Sequence, residues 1–347
     1  MELGAPSVRL LHAIKIPDVH RTSSKFSLDG TRLVFAYDGK STALRVLNVE
    51  TGKFMENTRM WSASSVSAMA VCPPRRAVVA GCMDGKVRVW DWDTGGRARS
   101  LRGHTHDVTA ICLTSDADRI VSGCTEGTIR VWDFTTGKCL KVMHTEGLSV
   151  RAVCTFATGS LCAAALDGNL VSVWDMETGM AVCIFDDHTE RIECAVAFPT
   201  TMRLATSSED RTTRIWDLEA GACVQELCVP VEHEYAVSVA VSPDESMLAA
   251  GYTDAFVRLW DLRTGNLVCV FEEHGAWVRA VAFSADGKTL RSATNCDDVV
   301  CIWDVEPTFR KALLVLMGAL EKSIPGRFVG RDGDHAILWR VAQMVGF

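Results

Sequence analysis

Val87-Arg88-Val89-Trp90-Asp91-Trp92-Asp93-Thr94-Gly95 decides the fold of this chain, because its Trp-Asp pair returns at a nearly fixed interval. Trp132-Asp133, Trp174-Asp175, Trp216-Asp217, Trp260-Asp261 and Trp303-Asp304 follow at spacings of 42, 42, 42, 44 and 43 residues. One period upstream, Leu44-Arg45-Val46-Leu47-Asn48-Val49-Glu50-Thr51-Gly52 repeats the pattern with Leu in place of Trp. A fixed period of this length marks an array of small supersecondary units, none of which can bury its own apolar face alone.

Each unit divides into four short alternating stretches, such as 108–113, 119–124, 128–133 and 139–143, separated by Gly, Asp, Glu or Thr. Runs of five or six β-branched and small apolar residues between such punctuation predict strands. No window of comparable length carries an apolar stripe at 3.6-residue spacing, so the chain is expected to be all-β. In Asp133-x-x-Thr136-Gly137, Asp175-x-x-Thr178-Gly179 and Asp261-x-x-Thr264-Gly265 the glycine stands where a hairpin needs positive φ.

Histidines recur ahead of the units at His20, His104, His144, His188, His233 and His274, with Trp61 in that place at the second unit. A His followed within about thirty residues by Trp-Asp, over a 42–44-residue period, resembles the WD-repeat family of β-propellers. The resemblance covers residues 20–304 without a gap. It implies a ring of four-stranded blades around a channel, closed by an N-terminal strand that joins the last blade. Ser7–Pro17 reads as that strand, since it precedes His20 as 139–143 precedes His144. The seventh unit lacks an outer strand of its own, because Pro307 follows Trp303-Asp304 where a Thr-Gly turn would stand.

Seven blades are favoured, with eight as the alternative. Residues 310–340 align without gaps onto 274–304, placing Trp339 on Trp303 and Arg327 on Arg291. The expected division is therefore a propeller over 7–305 and a degenerate C-terminal repeat over 306–347.

His188, Thr206, Asp210 and Trp216, with His104, Ser122, Glu126 and Trp132 as a looser copy, suggest a hydrolase constellation at first reading. The resemblance implies instead a structural tetrad in which the four polar groups satisfy one another. A partial copy in blade after blade, with Ala80, Ala163 and Ala250 at the expected hydroxyl positions, is not how a single catalytic centre is built. Gly39-Lys40-Ser41 lacks the upstream glycine of a phosphate-binding loop, since Val34 stands there. No Cys-x-x-Cys or second ligand pair at zinc spacing occurs. Neither a cofactor, nor a metal, nor an enzymatic activity is expected.

Forty-eight per cent hydrophobic and 23% charged residues describe an ordinary globular chain. Net charge is −7 and the 36 Lys and Arg are dispersed, which speaks against nucleic acid and anionic membranes as partners. The 14 cysteines sit within apolar runs and read as small buried hydrophobes of a reducing compartment, cytoplasmic or nuclear. The longest apolar run, 312–320, is too short to span a bilayer.

The resemblance places docking on the face where loops enter the innermost strands. The candidate rim residues there are Asp107, Arg151, Arg191, Glu193, Tyr235, Trp277 and Arg279, of which the aromatics and arginines are the types that dominate binding hot spots. Arg151, Arg191 and Arg279 together would make a basic rim suited to an acidic or phosphorylated peptide. The expected role is a scaffold or adaptor for other proteins, monomeric within a larger complex. A substrate-recognition subunit of a ubiquitin ligase is the alternative, its recruiting module on another chain because only about twenty residues precede the first unit. An enzyme using the channel is the remaining reading.

Overall fold

A computed structural model describes residues 9–15, 21–27, 30–37, 42–55, 60–93, 99–229, 233–294 and 299–305. Within them the chain is all-β and forms seven antiparallel blades in a ring. Blades 1 to 6 occupy 21–62, 66–102, 108–144, 150–185, 192–228 and 236–271 in order, each running from its innermost to its outermost strand. Blade 7 takes three strands from 278–304 and its outer strand from Arg9–Lys15. That strand pairs antiparallel with Val299–Asp304, Arg9 opposite Asp304 and Lys15 opposite Val299. The innermost strand of blade 1 packs against those of blades 7 and 2, so the ring closes at seven. Residues 306–347, expected as a degenerate repeat, lie outside the described residues, as do His20 and Gly39-Lys40-Ser41.

No blade has a core of its own. Seven apolar clusters lie one in each seam between neighbouring blades, for example Ile129, Val131 and Met143 of blade 3 against Val153, Ala164 and Leu166 of blade 4. The seam sets a size limit that recurs at one ladder position. Ala36, Gly81, Gly123, Ala165, Ser207, Gly251 and Ala293 occupy it in the seven blades, each two residues before its second strand leaves the sheet. A Cβ built on Gly123 would lie 2.2 Å from Val150 Cγ1, the first residue of the next inner strand, and Gly81 and Gly251 face Val108 and Val278 the same way.

The turns between third and fourth strands follow from their sequence. The Asp133 carboxylate accepts the Thr136 N–H at 2.6 Å, Asp175 accepts the Thr178 N–H at 2.7 Å, and Gly137 and Gly179 take φ of 72° and 78°. The cysteines among the described residues are free thiols, and burial pushes Cys154 and Cys162 above the ordinary thiol range, Cys162 to about 12. No helix of the described residues is long and apolar enough to cross a membrane.

Candidate functional site

Two polar systems recur around the ring, one inside the blades and one at the channel mouth. The inner system is built most fully in blade 5. The Trp216 indole N–H donates to Thr206 Oγ1 at 2.7 Å, the Thr206 hydroxyl donates to His188 Nε2 at 2.8 Å, and His188 Nδ1–H donates to Asp210 at 2.7 Å. Pairing with a carboxylate places a proton on Nδ1. Burial pushes the Asp210 carboxyl up, but the bonds from His188 and Thr212 outweigh it and hold the group well below the usual carboxylate range. Trp216 and His188 are buried, every member is saturated by another, and no face of the array opens to a substrate.

Blade 3 departs from the sequence reading at the acid. Trp132 and Ser122 repeat the first two links at 2.8 and 2.7 Å, but His104 Nδ1 shares a hydrogen bond with Thr128 Oγ1 at 3.0 Å. Glu126 is one methylene longer than aspartate and turns outward to the Thr105 hydroxyl and to His106 at 3.2 Å. Thr128 stands where Thr212 stands in blade 5, and takes over the histidine that Asp210 holds there. In blade 7 His274, Ser292 and Trp303 form the same links at 2.7 and 2.9 Å. The residue matching Asp210 falls in 295–298, outside the described residues.

His144 and His233 share the sequence register but are exposed. The inner strand begins four residues after His104, His188 and His274, but six after His144 and three after His233, so neither reaches the buried position. Ser62, not Trp61, occupies that position for blade 2, and Trp61 is exposed. In blade 4 the hydroxyl site is Ala164 rather than Ala163, because Ala164 pairs with Ser172 as Ser122 pairs with Arg130. Trp174 compensates by donating to Ser172 at 2.7 Å. Blades 2 and 6 use a substitute that sequence reasoning missed. Arg88 grips Asp84 with two bonds of 2.8 and 2.7 Å, and Arg258 grips Asp254 with bonds of 3.0 and 2.5 Å, both arginines being buried. The acid that would orient a histidine orients a guanidinium instead.

The inner system predicts an acid response. Burial, then the charge of Arg130, pushes His104 down to about 4, against the partial opposition of Glu126. In the unfolded chain this imidazole takes a proton near 6.5, so its contribution is complete above that pH and is lost as pH falls from about 6.5 towards 4. The loss approaches roughly 3 kcal/mol. Urea unfolding of the wild type and His104→Gln at pH 7.5 and 4.5 is expected to show their stability difference shrinking at the lower pH. An equal difference at both values would remove His104 from the acid response.

The second system lies at the channel mouth. Every inner strand opens with a register shift, between Val150 and Ala152, Ile192 and Cys194, or Val278 and Ala280 for example. The residue inside that bulge leaves the ladder and is re-aimed. Arg151, Glu193 and Arg279 are bulge residues, while Asp107, Arg191, Tyr235 and Trp277 each immediately precede an inner strand. The seven candidates therefore fall on two equivalent positions of one face. Their backbone is pinned by the neighbouring turn: Thr125 N–H donates to Asp107 O, Glu209 N–H to Arg191 O and Thr253 N–H to Tyr235 O, at 2.9–3.1 Å.

At blades 2 to 5 the bulges surround a cavity of about 200 Å³ lined by Ser67, Thr109, Arg151, Arg191, Ile192 and Glu193. Ser67 and Thr109 turn their hydroxyls onto the carbonyls of Val108 and Val150. The arginines do not form a free basic rim. Arg151 pairs with Asp167 at 2.6 Å, and Arg191 lies between Glu193 and Glu209, each at 2.5 Å. Arg279 stacks on the Trp277 ring, 4.8 Å from its centroid, and Trp277 remains 46% exposed. Among the described residues no group of His, Cys, Asp and Glu is arranged to hold a metal ion.

Ring, repeat and internal tetrads together define a WD-repeat β-propeller. The sequence profile of the nucleolar protein 10-like, N-terminal domain family matches residues 7–214, and the WD domain, G-beta repeat profile matches 221–261 and 265–304. The chain thus belongs to the WD-repeat propellers of the nucleolar protein 10-like, N-terminal domain family. It is similar to pre-mRNA-processing factor 19 of Oryza sativa subsp. japonica, 34% identical over 24% of this chain and 16% of that protein. Small ribosomal subunit protein RACK1y of the same plant is 40% identical over 21% and 20%. WD repeat and SOCS box-containing protein 1 of Mus musculus is 29% identical over 24% and 19%. The chain matches about a fifth of the length of these curated relatives.

Proposed function

We propose that this propeller is a non-catalytic scaffold that holds other proteins at the channel mouth, with 7–305 as the propeller domain and 306–347 as an appended degenerate repeat. One observation carries the reading: the bulged inner strands project side chains from successive blades onto one face, where an aromatic side chain as large as Trp277 stays 46% exposed. Exposed aromatics beside arginine are the residues from which binding hot spots are made. The internal tetrads serve stability, which leaves this face to function. The protein acts as a monomer within a larger complex. Its partners are proteins rather than nucleic acid or membrane, and the nucleolar name of its family favours the nucleus over the cytoplasm.

The test compares wild type with a Trp277→Ala/Arg279→Ala variant of equal melting temperature, by affinity capture from lysate and mass spectrometry. Partners held by the wild type and lost by the variant are the expected result. Identical retention by both would move the docking surface elsewhere on the ring.

A further inference from the structure

The described loops around the channel mouth share a sign of charge. On this face lie the described parts of the connections from one blade's outer strand to the next inner strand, 63–65, 103–107, 145–149, 186–191, 233–235 and 272–277. The turns between second and third strands, 83–85, 125–127, 167–169, 209–211 and 253–256, lie there too. Among these described stretches Arg191 and Arg211 are the only Lys or Arg, and every stretch except 63–65 carries at least one Asp or Glu. The opposite face is mixed, with Arg75, Arg76, Lys138, Arg263 and Lys288 in its turns.

Part of the acidity is consumed internally: Asp84, Asp167, Glu209 and Asp254 hold Arg88, Arg151, Arg191 and Arg258. The rest is not. Among the described residues Asp186, Asp187, Glu190, Glu272 and Glu273 are exposed and form no ion pair. Asp186-Asp187 and Glu272-Glu273 stand at the same two positions, directly before the buried His188 and His274, whose bonds to Thr206 and Ser292 anchor both pairs to the frame. Independently of charge, two features mark the face as a place where something sits. The mouth has a cavity of about 200 Å³ between blades 2 and 5, and on blade 7 Trp277 is exposed although Arg279 covers one face of its ring.

We propose that the channel-mouth face takes a basic, extended protein segment, whose Arg or Lys side chains pair with the unclaimed carboxylates and with the open surface of Trp277. This rests on the scaffold reading above and gives its partner a chemistry. An acidic or phosphorylated segment is disfavoured, because Arg151 and Arg191 are already neutralised, which leaves only Arg211 and Arg279 on this face against the unclaimed carboxylates. A cationic side chain gains both from the carboxylates and from the ring quadrupole.

The probe is a fluorescein-labelled twelve-residue peptide alternating Arg and Ser, with Glu-Ser and Gln-Ser peptides as counterparts, followed by anisotropy at low and physiological salt. Two variants change net charge equally: Glu190→Lys/Glu273→Lys at the mouth and Glu50→Lys/Glu219→Lys on the opposite face. These side chains are exposed and form no ion pair among the described residues, and equal melting confirms that the fold is retained. The Arg-Ser peptide is expected to bind, more weakly at higher salt, and to lose on the order of tenfold in affinity on the mouth variant but less than about twofold on the other. Equal losses on both variants would reduce the binding to general attraction by an acidic protein and overturn the proposal. So would absence of binding, or equal binding of the Gln-Ser or Glu-Ser peptide. Loss of neutral-peptide binding on Trp277→Ala would overturn the basic partner yet leave the docking face in place. The two readings therefore fail separately.

Discussion

Trp216→Ala is expected to lower the unfolding free energy by about 3–5 kcal/mol, the range for removing a large aromatic from a packed core. Trp216 is fully buried, stacks on Phe185 of blade 4 at 4.8 Å and meets His188 edge-on at 5.6 Å, so its ring belongs to a seam as much as to a blade. Its loss also leaves the Thr206 hydroxyl short of a donor inside the protein, at a site that already holds His188 and Asp210 in a buried chain of bonds. Trp216→Phe separates the two effects. It keeps most of the packing and removes the N–H, and is expected to cost roughly 1–2 kcal/mol. Equilibrium urea unfolding measures both. A loss below about 1 kcal/mol for the alanine variant would show that the seam between blades 4 and 5 does not depend on this ring.

Gly123→Val attacks the ring from the other side, by excess volume. A Cβ at this position already meets Val150 Cγ1 at 2.2 Å and Val150 Cβ at 2.7 Å, before either valine methyl is added. Val150 is buried and opens an inner strand, so it cannot swing aside without moving the bulge that follows it. Overpacking of this kind costs about 1–3 kcal/mol, and more where backbone must shift. We expect Gly123→Val to sit at or beyond the upper end. Gly123→Ala combined with Val150→Ala, which reopens the space, should recover part of the loss of Gly123→Ala alone. A double-mutant cycle with no coupling between the two positions would show that the seam accommodates the extra carbon without Val150.

The repeat was legible because Trp-Asp and the Thr-Gly turn each answer to a local requirement, packing at a strand end and positive φ in a hairpin. Such requirements survive in most copies. Ring closure was legible for a related reason: Ser7–Pro17 has strand character but no unit of its own, and the seventh unit wants a strand. What was hidden depends on contacts across blades or on side-chain reach. Nothing in the spacing of Glu126 says that its extra methylene carries it out to His106 and leaves His104 to Thr128. Nothing in Val-Arg-Val-Trp says that Arg88 replaces a histidine as the partner of Asp84. The seam glycines carried a readable signal, a small residue at one ladder position in all seven blades, but its meaning appears only when the next blade is in place. The channel-mouth candidates were found as a set. Their pairing was not, since Asp167 and Glu209 reach Arg151 and Arg191 from turns distant in sequence, and only Glu193 stands beside its arginine.

The strand Arg9–Lys15 completes the sheet begun at Val278, so the first and last described parts of the polypeptide share one ladder. During synthesis Arg9–Lys15 must therefore wait for a strand made nearly three hundred residues later. Until Val299–Asp304 emerges, it has no native edge to join, and the growing stack of blades keeps an open apolar flank at each end. Such intermediates are long-lived in proportion to the length still to be translated, and they are the species that chaperones recognise. A stop or stall just ahead of Val299 would thus be disproportionately damaging, because it leaves six blades made but forfeits the closure.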